Sequence, residues 1–109
     1  MRVYISGPIT GRENNNVGAF AFAELQLRRN GHNPVNPHVI APQSEGMEWS
    51  DYMRADIREL CRCAAVATLD GWEDSRGARL EVEIARQLGM AVQPIAWWTG
   101  ISVGPGGAS

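Results

Sequence analysis

Apolar and polar positions switch along the chain between a period of two and a period near 3.6, and the switches mark the elements. The opening Arg2-Val3-Tyr4-Ile5-Ser6 is a β-branched and aromatic run stopped by Gly7-Pro8, which predicts a strand entering a turn. Gly7 to Asn16 reads as a loop. From Val17 to Asn30 the residues Phe20, Ala23 and Leu27 recur at helical spacing, and Asn30-Gly31 is a helix stop. A short strand over Asn33 to Asn36 precedes a loop from Pro37 to Met47. Ser50 is placed to cap a helix that carries Tyr52, Met53, Ile57 and Leu60 and ends near Cys63; Ala64 to Leu69 then suits a buried strand. A helix over Ser75 to Leu88, stopped by Gly89, and a last strand over Ala91 to Ile95 complete the pattern.

Strands and helices therefore alternate, β-α-β-α-β-α-β. Such alternation predicts a parallel sheet with helices on both faces and right-handed crossovers, a small flavodoxin-like or Rossmann-like three-layer α/β sandwich of about four strands in the order 2-1-3-4. Ligands of such sheets bind at the carboxyl ends of the strands where the order reverses, here between strands one and three. Two segments meet there. The first is Gly7-Pro8-Ile9-Thr10-Gly11, with Ser6, Gly7, Pro8, Ile9 and Gly11 as expected contacts, and the second runs Asp70-Gly71-Trp72-Glu73-Asp74-Ser75, with Asp70, Gly71 and Trp72. A single domain is expected over residues 1–97, with a flexible tail over 98–109.

Composition narrows the function. With 44% apolar and 20% charged residues over 109 positions, the chain is that of one soluble globular domain, and no apolar run approaches the ~20 residues of a membrane span. No signal peptide is expected before the first strand. A formal net charge of −2 gives no general pull toward nucleic acid, which leaves small molecules or protein partners. Cys61 and Cys63 are too close in sequence for a structural disulfide and lack a second ligand pair for zinc, so a reducing cytoplasm is the expected setting, with neither metal nor cofactor. His32 and His38 read as structural or solvent-facing.

The helix from Ser75 holds the candidate chemistry. Ser75 caps it, and the amides of Arg76, Gly77 and Ala78 point at the crevice, where the helix dipole favours a phosphate or carboxylate; alternatively Ser75 only caps and Gly77 only permits close packing. Glu81 is the anomaly, a carboxylate on the stripe that Ala85 and Leu88 continue. Its side chain leans over Gly77 and Ala78, which leave the space above it nearly empty, so either a ligand or an arginine partner belongs there. Glu83 and Arg86 point elsewhere. Tyr4 brings a hydroxyl toward the end of strand one, or packs with that hydroxyl in water. Asp56 lies beside the core stripe of its helix, where a surface aspartate is the ordinary case. Trp49 and Trp72 flank the region and suit either stacking on a flat heterocycle or packing. The first loop lacks both the G-x-G-x-x-G spacing of a dinucleotide site and the lysine of a P-loop.

Together these pieces resemble the nucleoside 2-deoxyribosyltransferase superfamily, in particular its short, often phage-encoded members. The resemblance runs from Arg2 to Ile95 and rests on V-Y-I-S-G-P-I-T-G, the N-P of the second loop, Y-M-R-A-D-I-R-E-L and S-R-G-A-R-L-E-V-E-I-A, in that order. It implies cleavage of an N-glycosidic bond through a glycosyl-enzyme intermediate. It makes Glu81 the nucleophile, Tyr4 its orienting group, Asp56 the residue that steadies it and protonates the leaving base, and Ser75 a contact to the 5′ end of the substrate. Pro8 and Thr10 stand where the monophosphate hydrolases of the superfamily carry Ser and Arg, which removes one phosphate anchor and one positive charge.

The expectation is thus an enzyme that hydrolyses or transfers the glycosyl group of a (deoxy)nucleoside or nucleotide, acting as a homodimer or larger homo-oligomer, with the Trp97-Trp98 pair at the subunit contact or the core edge. The alternative is a non-catalytic binding protein that sequesters a nucleotide or an ADP-ribose-derived signal.

Overall fold

A computed structural model describes residues 1–40 and 46–100. Four strands, β1 (Arg2–Ser6), β2 (Asn33–Val35), β3 (Ala65–Thr68) and β4 (Ala91–Pro94), form one parallel sheet in the order β2-β1-β3-β4. Among the described residues five α-helices join or flank them: α1 (Val17–Arg29), α2 (Pro37–Ile40), α3 (Trp49–Leu60), α4 (Arg76–Gln87) and α5 (Ile95–Thr99). The predicted α/β class and strand order are those observed.

The period of two along β1 divides the interior into two cores. Val3 and Ile5 point to one face, where Phe20, Ala23 and Leu27 of α1 meet Ala65, Ala67, Leu69 and Trp98. Tyr4 points to the other, where Val35, Leu60, Cys63, Val66 and Ala85 gather under α3 and α4. A hydroxyl at position 4, and again at position 6, is thereby delivered to the α3 and α4 side.

Four elements differ from their expected form. Pro37 to Ile40 is a helical turn rather than loop, since Asn36 Oδ1 accepts from the His38 amide at 2.9 Å and starts it; 41–45 of the expected loop lie outside the described residues. Helix α3 begins at Trp49, not after Ser50, because the Asp51 carboxylate reaches back to the Glu48 amide at 2.9 Å and satisfies a free donor there. Helix α4 ends at Gln87, so Leu88 does not extend the buried stripe; it is 59% exposed. After β4 the chain turns into α5, which runs across the boundary expected at 97. Trp98 is buried in the first core and its indole N–H donates to the carbonyls of Val66 and Gln93, both at 3.1 Å, which ties α5 to β3 and β4. Of the expected tail, 101–109 lie outside the described residues.

Candidate active site

Tyr4 and Ser6 project from the same face of β1 and meet one carboxylate. The Tyr4 hydroxyl donates to Glu81 Oε2 at 2.6 Å and the Ser6 hydroxyl to Glu81 Oε1 at 2.8 Å. Both serving residues are fully buried and Glu81 is 5% exposed. No arginine pairs with Glu81 among the described ion pairs. The arrangement follows from register. Glu81 is on the second turn of α4, the helix that follows β3 after the loop 69–75, and β3 pairs directly with β1.

Burial and hydrogen bonding oppose each other at this group. Removal from water pushes the Glu81 pKa up, the two hydroxyl donors pull it down, and the nearby Asp56 charge raises it again; it stands at about 8. Burial, with the charges of Glu81 and Asp56 behind it, raises the Tyr4 hydroxyl well above its ordinary value, so the phenol remains a donor. Asp56 is buried at 6% exposure on α3, and burial pushes its pKa up to about 7. Its Oδ1 is buried without a hydrogen-bond partner among the described residues. The surface aspartate of the ordinary case is thus a desolvated carboxyl electrostatically coupled to Glu81.

Glu81 and Asp56 line a cleft of ≈ 440 Å³. Its walls come from Gly7, Ile9 and Thr10 after β1, Pro37 and His38 of α2, Trp49, Tyr52 and Met53 of α3, and Asp74 to Ala78 at the start of α4. Ser75 caps α4 as expected, but its Oγ accepts from the Ala78 amide at 3.2 Å, so the amides of that turn left over by the cap are those of Arg76 and Gly77. Gly77 also has a packing role: a Cβ there would stand 3.1 Å from Met53 Sδ, so its absence lets α4 approach α3. Gly7 is required more strictly, since a Cβ would fall 2.7 Å from Leu69 Cβ as the chain leaves β1.

The cleft does not take in every expected contact. Ser6 lies beneath it, bonded to Glu81. Pro8 is buried, its carbonyl accepting from the Asn16 side chain at 2.9 Å. Gly11 and Asp70 are exposed beyond its rim, and Gly71 turns the second loop at a φ of 85°. Trp72 stands outside the lining, with the Arg86 guanidinium 5.7 Å from its ring centre. Trp49 does line the cleft, with the Arg76 guanidinium stacked 3.7 Å from its ring centre, so one face of the indole is already covered.

Pro37, His38, Tyr52 and Met53 were not legible as cleft residues from the chain alone, and Arg76 only through its backbone amide; Thr10 and Asp74 lie in the two loops expected to meet there, though neither stood among the expected contacts. Helical spacing of 49, 52, 53 and 56 would have united the α3 group on one face. The α2 pair had no such signal, because Pro37-His38 reads as loop. His38 packs edge-on to Phe20 at 4.8 Å, and burial lowers its pKa against the pull of the Asn15 backbone; His32 packs edge-on to Trp98 at 5.4 Å. Among the described residues no three His, Cys, Asp or Glu side chains gather to hold a metal ion, and no helix is long and apolar enough to cross a membrane.

This fold recurs in a 2-deoxyribosyltransferase from the psychrotolerant bacterium Bacillus psychrosaccharolyticus. The two structures superpose with a TM-score of 0.66 over 84% of this chain and 69% of that one, at 20% identity. The shared α/β architecture is the one the superfamily resemblance implies. No curated protein matches the chain in sequence. A family model does, over residues 1–94, and the chain belongs to that family, described as a domain of unknown function (DUF4406).

Proposed function

We propose that the protein cleaves or transfers the N-glycosidic bond of a (deoxy)nucleoside or nucleotide through a covalent intermediate on Glu81. One observation carries this reading: a buried carboxylate at the cleft, with each oxygen held by a hydroxyl, beside a second buried carboxyl, Asp56, that lines the same cleft. Displacement at an anomeric carbon needs an oxygen anion fixed on one side of the sugar and an acid that reaches the departing nitrogen. Fold similarity to a 2-deoxyribosyltransferase is consistent with that chemistry.

In the first step a Glu81 oxygen bonds to the anomeric carbon as the carbon–nitrogen bond breaks. The electron pair of that bond leaves with the base, and the Asp56 carboxyl gives the base its proton. In the second step water attacks the same carbon, the bond to Glu81 breaks and returns its electron pair to the carboxylate, and Asp56 takes the proton from water. Attack by a nitrogen of a second base in place of water gives transfer instead of hydrolysis.

The productive form carries its charge on Glu81 and its proton on Asp56. Tyr4 and Ser6 favour it by donating to the Glu81 anion, whereas burial favours the acid; with Glu81 at about 8 and Asp56 at about 7, it is the minor singly protonated form of a coupled pair. Positive charge developing on the sugar beside Glu81 draws the pair toward it. The kcat/KM then follows a bell whose limbs, belonging to the pair, lie near about 7 and about 8. We propose a reducing cytoplasm as the protein's setting, the one expected from Cys61 and Cys63.

The test is to incubate the purified protein with a panel of nucleosides and nucleoside 5′-monophosphates and to measure free base by chromatography, with Glu81→Gln alongside. Base release by the wild type and none by the variant supports the proposal, as does a sugar adduct on the Glu81 peptide in acid-quenched samples. Equal release by both proteins rules out Glu81 as nucleophile. Tight binding of a nucleotide with no base release would favour sequestration.

A further inference from the structure

The position of Ser6 separates it from the ligand contacts among which the sequence places it. Its side chain is fully buried, it is absent from the cleft lining, and its hydroxyl is spent on Glu81 Oε1 at 2.8 Å. We infer that Ser6 is a positioning residue for Glu81, fixing Oε1 while Tyr4 fixes Oε2, so that the carboxylate holds one orientation toward the cleft. This rests on the nucleophilic role proposed for Glu81.

The reason lies in the torsion that turns a carboxylate. The last torsion of a glutamate side chain is broad and roughly two-fold, so a carboxylate held through one oxygen swings about it. Donors on both oxygens remove that freedom, and they leave the remaining lone pairs in fixed directions. The pair of donors is a product of β1 itself. Residues 4 and 6 of a strand share a face, and the chain turns away at Gly7, which lines the cleft. Ser6 is therefore the last position from which the strand can support Glu81 from beneath. The titratable groups acting on Glu81 are Tyr4 from β1 and Asp56 from α3, and a substitution at Ser6 leaves both in place.

The experiment follows the Glu81 side-chain carboxyl carbon by NMR as pH is varied, in the wild type, Ser6→Ala and Ser6→Cys. Loss of a donor to the charged form should raise the Glu81 titration midpoint by about one pH unit in Ser6→Ala, with Ser6→Cys, a weaker donor of similar volume, in between. With a substrate that the wild type turns over, kcat should fall about tenfold or more in Ser6→Ala while KM stays within about twofold, because Ser6 touches Glu81 and not the ligand. An unmoved midpoint in folded Ser6→Ala overturns the inference, as does a raised KM with kcat intact. Should Ser6→Ala fail to fold, the midpoint in Ser6→Cys decides the matter in the same way. A wild type that releases no base refutes the proposed function, yet the midpoint still reports whether Ser6 holds Glu81.

Discussion

Raising the pH from about 5 to about 9 should weaken this protein through its buried carboxyls, and Glu81 allows the size to be worked out. Its pKa stands near 4.5 when solvated and at about 8 in the fold, with burial as the main cause. The folded state therefore binds the proton more tightly than the unfolded one. Stability from this group is fully present below 4.5 and is lost as pH rises through about 8. Each pH unit inside that window is worth ~1.4 kcal/mol, so the interval from about pH 5 to about pH 9 removes about 4 kcal/mol, a large part of the stability of a small domain. Asp56, raised from 3.8 to about 7, acts in the same direction over a lower window, and because the two repel they titrate as a pair rather than additively. Glu81→Gln is the control variant, since it keeps the volume and an acceptor for one hydroxyl, whereas alanine would leave both Tyr4 and Ser6 without their acceptor. Urea midpoints followed by tryptophan fluorescence at about pH 5, 7 and 9 give the free energies. The wild type should lose stability with rising pH by about 4 kcal/mol more than Glu81→Gln. Parallel lines for the two proteins, or a wild type that gains stability, would show that the fold does not hold the Glu81 proton.

Asp56→Asn should slow reactions of nucleosides with poor leaving bases by about 100-fold or more and those with activated leaving groups far less, as expected of a proton donor; equal slowing of both in steady-state kinetics would reduce Asp56 to positioning. Trp98→Ala should destabilise the fold by about 3 to 5 kcal/mol in denaturant titration, since it empties a core site and strips a donor from the Val66 and Gln93 carbonyls; a loss below about 1 kcal/mol would show that the α5 anchor is dispensable to the fold. We propose further that the protein is a homodimer or larger, with α5, where Trp97 is 60% exposed, and the β4 edge it follows in the contact. Light scattering should then give at least twice 11.9 kDa for the wild type and a smaller mass for Trp97→Ser, and a wild-type mass of 11.9 kDa would remove the proposal.

The order of elements, the parallel sheet and the strand order were legible in the chain, because they depend on local signals that add up over many residues. Hydrophobic period, caps such as Ser75 and stops such as Asn30-Gly31 act within a few positions, and alternating strands and helices leave few ways to connect a sheet. Glu81 was legible as well, since a carboxylate on an apolar helical stripe has to be accounted for somewhere in space. What answers it was not. The Tyr4 and Ser6 hydroxyls lie 77 and 75 residues away in sequence, and only the β1-to-β3 pairing brings them beneath α4. The same holds for Asp56, whose burial depends on how closely α3 and α4 approach at Gly77, and for His38, set in the cleft wall by a turn too short to leave a period. Trp98 lies beyond the last strand that the pattern marks, and its place in the core is decided by the carbonyls of two strands. Sequence determined which groups exist and which face each one takes; the packing of elements distant along the chain decided which of them meet and how far each is removed from water.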